Sequence, residues 1–175
     1  MRIFLIGFMG SGKTTLGKQL AAKLGYQFVD QDHVIEDRFN MSVSEIFATH
    51  GETTFRKAER EVLLSFENKE NLVISTGGGA PCFFDNIHLM NNLGCSIYLK
   101  ADPKTLVNRL KDSHNTRPLI KDKSEPELFD YVSEKLKERE TFYSQATITI
   151  QAINLRATDI IQILNEGLIP PQHLH

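Results

Sequence analysis

Tryptophan is absent from this chain of 175 residues, and cysteine occurs only twice. Cys82 and Cys95 have neither metal-ligand nor redox spacing, which argues against a disulfide scaffold and a zinc site. Both are expected to be buried small hydrophobes in a reducing, cytoplasmic compartment. The six histidines form no HxxxH-type pair. Charge of one sign is lacking too: 20 basic against 22 acidic residues, net −2, provides no electrostatic footprint for nucleic acid. No apolar run is long enough to span a bilayer, so no membrane association is expected. The apolar opening "MRIFLIGFMG" runs straight into "SGKTT" and reads as a strand rather than a signal peptide. There is no repeat, low-complexity tract or Ser/Gly linker, and the length suits one domain over residues 1–175. Glycine is limited to eleven residues, yet three stand side by side at Gly77, Gly78 and Gly79. Such a run loosens the backbone unless something requires it.

What is there is an alternation of apolar runs and helical patterns. Strands are predicted at 2–6, 26–30, 72–76, 96–101 and 147–150. Helices are predicted at 13–25, with Leu16, Leu20 and Leu24 on one face, at 32–39 with Asp32 as a possible cap, and at 52–69 with Phe55, Val62 and Phe66 on one stripe. Two more follow at 103–111 and 125–146. Strands alternating with helices imply an α/β fold, a five-stranded parallel sheet covered on both faces in three layers. Ligands of such sheets sit beyond the carboxyl ends of the strands.

"GFMGSGKT", Gly7 to Thr14, matches GxxxxGK[ST] between a predicted strand and a predicted helix. Chance would produce the pattern in roughly one chain of this length in two hundred. Its glycines let backbone N–H groups turn around phosphates at a helix N-terminus, so Gly10, Ser11, Gly12, Lys13, Thr14 and Thr15 are the expected nucleotide-binding stretch. Lys13 would reach the β- and γ-phosphates and the Thr14 hydroxyl would ligate magnesium. The plain alternative, a glycine-rich turn with an exposed lysine, does not explain the context. A GTPase would need NKxD, and "NKEN" at 68–71 lacks the aspartate. A motor or AAA-type ATPase would carry a strand ending in paired acids, which no strand here does. A small-molecule kinase remains, and it needs a second pocket.

Asp30 and Asp32, in "VDQDH", stand at a strand end and suit a shared task, one reaching magnesium through water and the other an acceptor hydroxyl. Arg56, Arg117 and Arg139 each have an ordinary surface reading taken singly. The glycine triplet after a buried strand forms a concave turn of N–H groups, which together with arginines suits a small carboxylate.

The motifs GxxGSGKTT (Gly7–Thr15), DxD (Asp30, Asp32), FRxxE (Phe55, Arg56, Glu59), GGG (77–79), RPL (Arg117, Pro118, Leu119) and RxxxY (Arg139, Tyr143), in this order, resemble the shikimate kinase family over about residues 2–150. The resemblance implies a P-loop kinase related to nucleoside monophosphate kinases. Its reaction is ATP-dependent phosphorylation of the 3-hydroxyl of shikimate, in aromatic amino acid biosynthesis. Arg56 and Arg139 would take the shikimate carboxylate, Asp32 its hydroxyls, and Gly77, Gly78 and Gly79, chiefly Gly78, would cradle it. Thr14, and Asp30 through water, would serve magnesium. Arg117 would stabilise the transferring phosphoryl group from a mobile lid at 112–124. Arg109 and the loop at Ala152–Asn154 would flank adenine, and the family suggests a monomer. Gln31 departs from the pattern, standing where the family usually has Ser or Thr.

The catalytic set so implied is Lys13, Asp32 and Arg117, acting by in-line transfer in which positioning and charge neutralisation dominate. Gluconate or a nucleoside monophosphate as acceptor, and a non-catalytic ATP-binding regulatory module, are the competing readings.

Overall fold

The computed structural model describes residues 1–111 and 123–167. Strands β1 (Arg2–Ile6), β2 (Gln27–Asp30), β3 (Leu72–Ser75), β4 (Cys95–Lys100) and β5 (Ile148–Gln151) form a five-stranded sheet in the order β2-β3-β1-β4-β5. Every pairing is parallel, as the alternation of elements predicts. The central strand explains the layering. Ile3 and Leu5 point into one apolar cluster, and Phe4 and Ile6 into another, all fully buried. A period of two places successive side chains on opposite faces, so a continuous apolar run requires cover on both.

One face is covered by α1 (Lys13–Leu24), α5 (Pro103–Lys111), α7 (Ala157–Asn165) and part of α6 (Glu125–Tyr143). The other is covered by α2 (Gln31–Phe39), α3 (Val43–Leu64) and α4 (Asn86–Leu93), where Tyr143 of α6 also packs. In α1, Leu16 and Leu20 are buried and Leu24 half-buried. Its C-cap is Gly25, in the left-handed conformation that usually ends a helix. Phe55, Val62 and Phe66 are all buried, as their stripe implies.

Several elements depart from the sequence reading. The cap of α2 is Asp30, whose carboxylate accepts from the Asp32 N–H at 3.2 Å, and Asp32 sits in the first turn. The helix expected at 52–69 starts earlier, at Val43, behind a capping box of Ser42 and Glu45, and ends at Leu64. Gly51, at φ 78°, breaks it internally, and that break hides its first part from a periodicity scan. Helices α4 and α7 escape prediction because Asn-rich and Ile-rich segments carry weak helical preference, yet each buries an apolar face. Cys95 is buried as expected, but Cys82 is only half-buried, beside the cleft described next.

Candidate active site

The carboxyl ends of the strands open into one cleft of roughly 1120 Å³, lined at one end by the Met9–Leu16 loop and helix start and at the other by Asp32, Arg56, Glu59, Arg139 and the glycine triplet. The loop after β1 needs its glycines. Gly7, Gly10 and Gly12 have φ of 142°, 80° and 97°, in the range that side chains disfavour, and Gly12 leads into α1. The Lys13 ammonium is buried and donates to the Gly7 and Phe8 carbonyls at 2.9 and 3.0 Å, which holds it across the mouth of the loop. Thr14 Oγ1 donates to Asp30 Oδ2 at 3.1 Å and lies 3.4 Å from Ser75 Oγ. Arg109 donates to the carbonyls of Gly10 and Ser11 at 3.3 Å and of Ala152 at 3.1 Å, tying the loop to the segment after β5. Ala152 and Leu155 also line this end, whereas Ile153 points out to solvent.

At the other end, Arg56 is braced by two carboxylates of its own helix. Its Nη1 donates to Glu59 Oε2 at 2.8 Å, and its Nη2 and Nε donate to Glu52 Oε1 at 2.9 and 3.1 Å. Its guanidinium also lies 4.0 Å from the centroid of the Phe83 ring, close enough for a cation–π contact. Arg139 reaches into the same region over the Phe8 ring, at 5.3 Å. Glu59, part of the FRxxE motif but without a role in the sequence reading, is wholly inaccessible to solvent. Burial pushes its carboxyl up to about 7 and outweighs the opposing pull of Arg56, while the nearby Asp32 adds to the rise. Asp32 is likewise raised, first by burial and then by the charge of Asp30, with Lys13 pulling it down by less. One oxygen of each, Asp32 Oδ1 and Glu59 Oε1, is buried with no hydrogen-bond partner among the described residues.

The triplet sits among these side chains, and space rather than backbone conformation requires glycine at 77 and 79. None of the three has a positive φ. A Cβ on Gly77 would lie 2.7 Å from Glu59 Oε1 and 2.9 Å from Asp32 Oδ1, and one on Gly79 would lie 2.6 Å from Arg56 Nη1. A Cβ on Gly78 would meet Arg139 Nη1 at 3.4 Å and the Gly7 carbonyl and Met9 N–H at 3.6 Å. The turn therefore packs directly between the acidic and basic groups and the phosphate loop. Tyr143, burial of which keeps its phenol protonated, donates to the Gly78 carbonyl at 2.5 Å. Its place four residues after Arg139 marked it as part of a motif, but its anchoring of the turn needed the fold.

The structure brings Lys13, Thr14, Asp30, Asp32, Arg56, Gly77, Gly78, Gly79, Arg109 and Arg139 to this one cleft: the loop, aspartates and glycines from the ends of strands, and the three arginines from helices α3, α5 and α6. Arg117 and the lid segment expected at 112–124 fall outside the described residues except at Lys123 and Ser124.

A parallel sheet with a GxxxxGKT loop at its central strand, and a second polar pocket beside it, defines a P-loop kinase. The family model for shikimate kinase matches residues 9–166. A shikimate kinase of Parabacteroides distasonis is 46% identical over 94% of this chain and 95% of its own length. Among solved structures, shikimate kinase from Bacteroides thetaiotaomicron superposes with a TM-score of 0.88 at 44% identity, covering 96% of this chain and 98% of that one. Shikimate kinase from Acinetobacter baumannii, in complex with shikimate, does so with a TM-score of 0.83 at 34% identity over 95% and 93% of the two chains. The chain belongs to the shikimate kinase family.

Proposed function

We propose that this protein transfers the γ-phosphoryl group of ATP to the 3-hydroxyl of shikimate. One observation carries the reading: Arg139 and Arg56 flank consecutive glycines of a turn that also touches the phosphate loop. A carboxylate held by the two guanidiniums would thereby be kept beside the end of a bound triphosphate. That the Acinetobacter relative was solved with shikimate bound supports the same acceptor.

In this reading the loop amides and Lys13 bind the phosphates and offset their charge, at a helix N-terminus that favours anions. Asp32 orients the attacking hydroxyl, and its raised pKa suits it to take the proton as the bond forms. Arg117 is proposed to act on the transferring group. The oxygen donors Thr14 and Asp30 fit magnesium, a hard cation, and the absence of a three-residue His/Cys/Asp/Glu cluster among the described residues suits an ion that keeps waters and phosphate ligands. When bound, that ion would neutralise charge on the β- and γ-phosphates.

The test is ADP release from Mg·ATP with shikimate, gluconate or AMP as acceptor. Turnover with shikimate alone is expected. Turnover with another acceptor would discard the arginine assignment, and ATP binding without turnover on any acceptor would favour the regulatory module.

A further inference from the structure

Gln31 stands between the two aspartates of the DxD motif, and its side chain is fully buried. Its amide does two things at once. The carbonyl oxygen accepts from the Gly77 N–H at 3.1 Å, and the amino group donates to the Glu59 main-chain carbonyl at 3.0 Å. Those partners belong to the glycine turn and to α3, and Gln31 itself opens α2. One side chain thus links the three segments that carry Asp32, Arg56 with Glu59, and the triplet. A buried N–H is costly to leave without an acceptor, so this bond holds the start of the turn in one place.

It also sorts the N–H groups of the triplet. Gly77 gives its N–H to Gln31. The Gly77 carbonyl accepts from Ala80 and that of Gly79 from Cys82, while Tyr143 takes hold of the Gly78 carbonyl. The N–H groups of Gly78 and Gly79 enter no such bond among the described residues. They belong to the two glycines that touch Arg139 and Arg56.

We propose that Gln31 is a positioning residue for the acceptor: by fixing Gly77 against α3, it aims the N–H groups of Gly78 and Gly79 and the Arg56 guanidinium at one anionic group. This rests on reading that end of the cleft as the acceptor pocket. Gln31 touches neither the phosphate loop nor Lys13 in any hydrogen bond among the described residues, so its effect is specific to the acceptor.

The test uses Gln31→Met, which keeps the length and approximate volume of the side chain but can form neither bond. The expected result is a rise in the KM for shikimate of about tenfold or more, with the KM for ATP changed by less than about twofold. In parallel, amide hydrogen exchange reads the device directly. The Gly77 N–H should be protected in the wild-type protein and exchange at least about tenfold faster in Gln31→Met, while the amides of α1 keep their rates. Equal losses for shikimate and ATP would overturn the proposal, as would an unchanged shikimate KM. Rapid exchange of the Gly77 N–H in the wild-type protein would overturn it even if the variant failed to fold. Should the wild-type protein show no shikimate-dependent turnover, the functional reading would fall instead, and the exchange rates would still decide the role of Gln31 in the turn.

Discussion

Glu59 is buried between Arg56 and Gly77, and its carboxyl is held at about 7 against an ordinary 4.5. The consequence for stability has a definite sign. Below about 4.5 the group is protonated in folded and unfolded chains alike. Between there and about 7 the folded chain keeps a proton that the unfolded chain has released, so the folded state loses stability as pH rises through that window. Asp32, also raised, acts in the same direction. Replacing Glu59 by Gln removes this part of the slope. Thermal denaturation of the two proteins at pH 5 and pH 8 should therefore show the variant gaining on the wild type at the higher pH, and parallel curves would contradict the assignment. Asp32 has a different task. Asp32→Asn preserves the size of the side chain and removes the base of the proposed reaction, so kcat should fall by about 10²- to 10⁴-fold while ATP affinity, measured by titration, is retained. Near-normal turnover would remove Asp32 from the reacting centre.

At the scale of whole elements, the turn after β3 works because it has no side chains to displace. Gly79→Ala would bring a methyl group to 2.6 Å from the Arg56 guanidinium, which must then move away from the Glu59 and Glu52 carboxylates that brace it. Steady-state kinetics should show the acceptor KM raised about tenfold or more with little change for ATP. Helix α7 is an element of another kind, far from the chemistry yet part of the core. Ile160 is wholly buried among residues of α1 and the sheet. Truncation to alanine should cost about 2–5 kcal/mol in urea unfolding. A cost under about 0.5 kcal/mol would mean that α7 is peripheral.

Across the whole molecule, both ligands would dock at the carboxyl ends of the strands but against different segments: nucleotide on the loop between β1 and α1, acceptor against α2, α3 and the triplet. Binding to the folded state alone raises stability by mass action, about 2.7 kcal/mol at a hundredfold excess over Kd. Shikimate should therefore raise the Tm in the presence of EDTA, because no metal donor is needed at the arginines, whereas EDTA should abolish turnover. Loss of the shikimate effect on chelation would place metal in the acceptor pocket and contradict the division of the cleft.

The five strands, the phosphate loop and the identities of most of the cleft residues are legible along the chain, because apolar period and short-range glycine spacing are local properties. Lys13 and Thr14 announce themselves through neighbours a few residues away. The early start of α3 was obscured by Gly51, and α7 by its β-branched residues, since burial rather than local preference forms both. Reading the acidic pair beyond its motif was not possible in one dimension: Glu59 lies 27 residues from Asp32, and its raised pKa comes from burial between elements. The same holds for the glycine triplet. Its presence invites an anion-binding turn, but the reason for Gly77 and Gly79 is the close approach of Asp32, Glu59 and Arg56, residues up to 45 positions away. The amide of Gln31 gains its meaning from the same source, because hydrogen bonds to Gly77 and Glu59 exist only once three segments have been packed together.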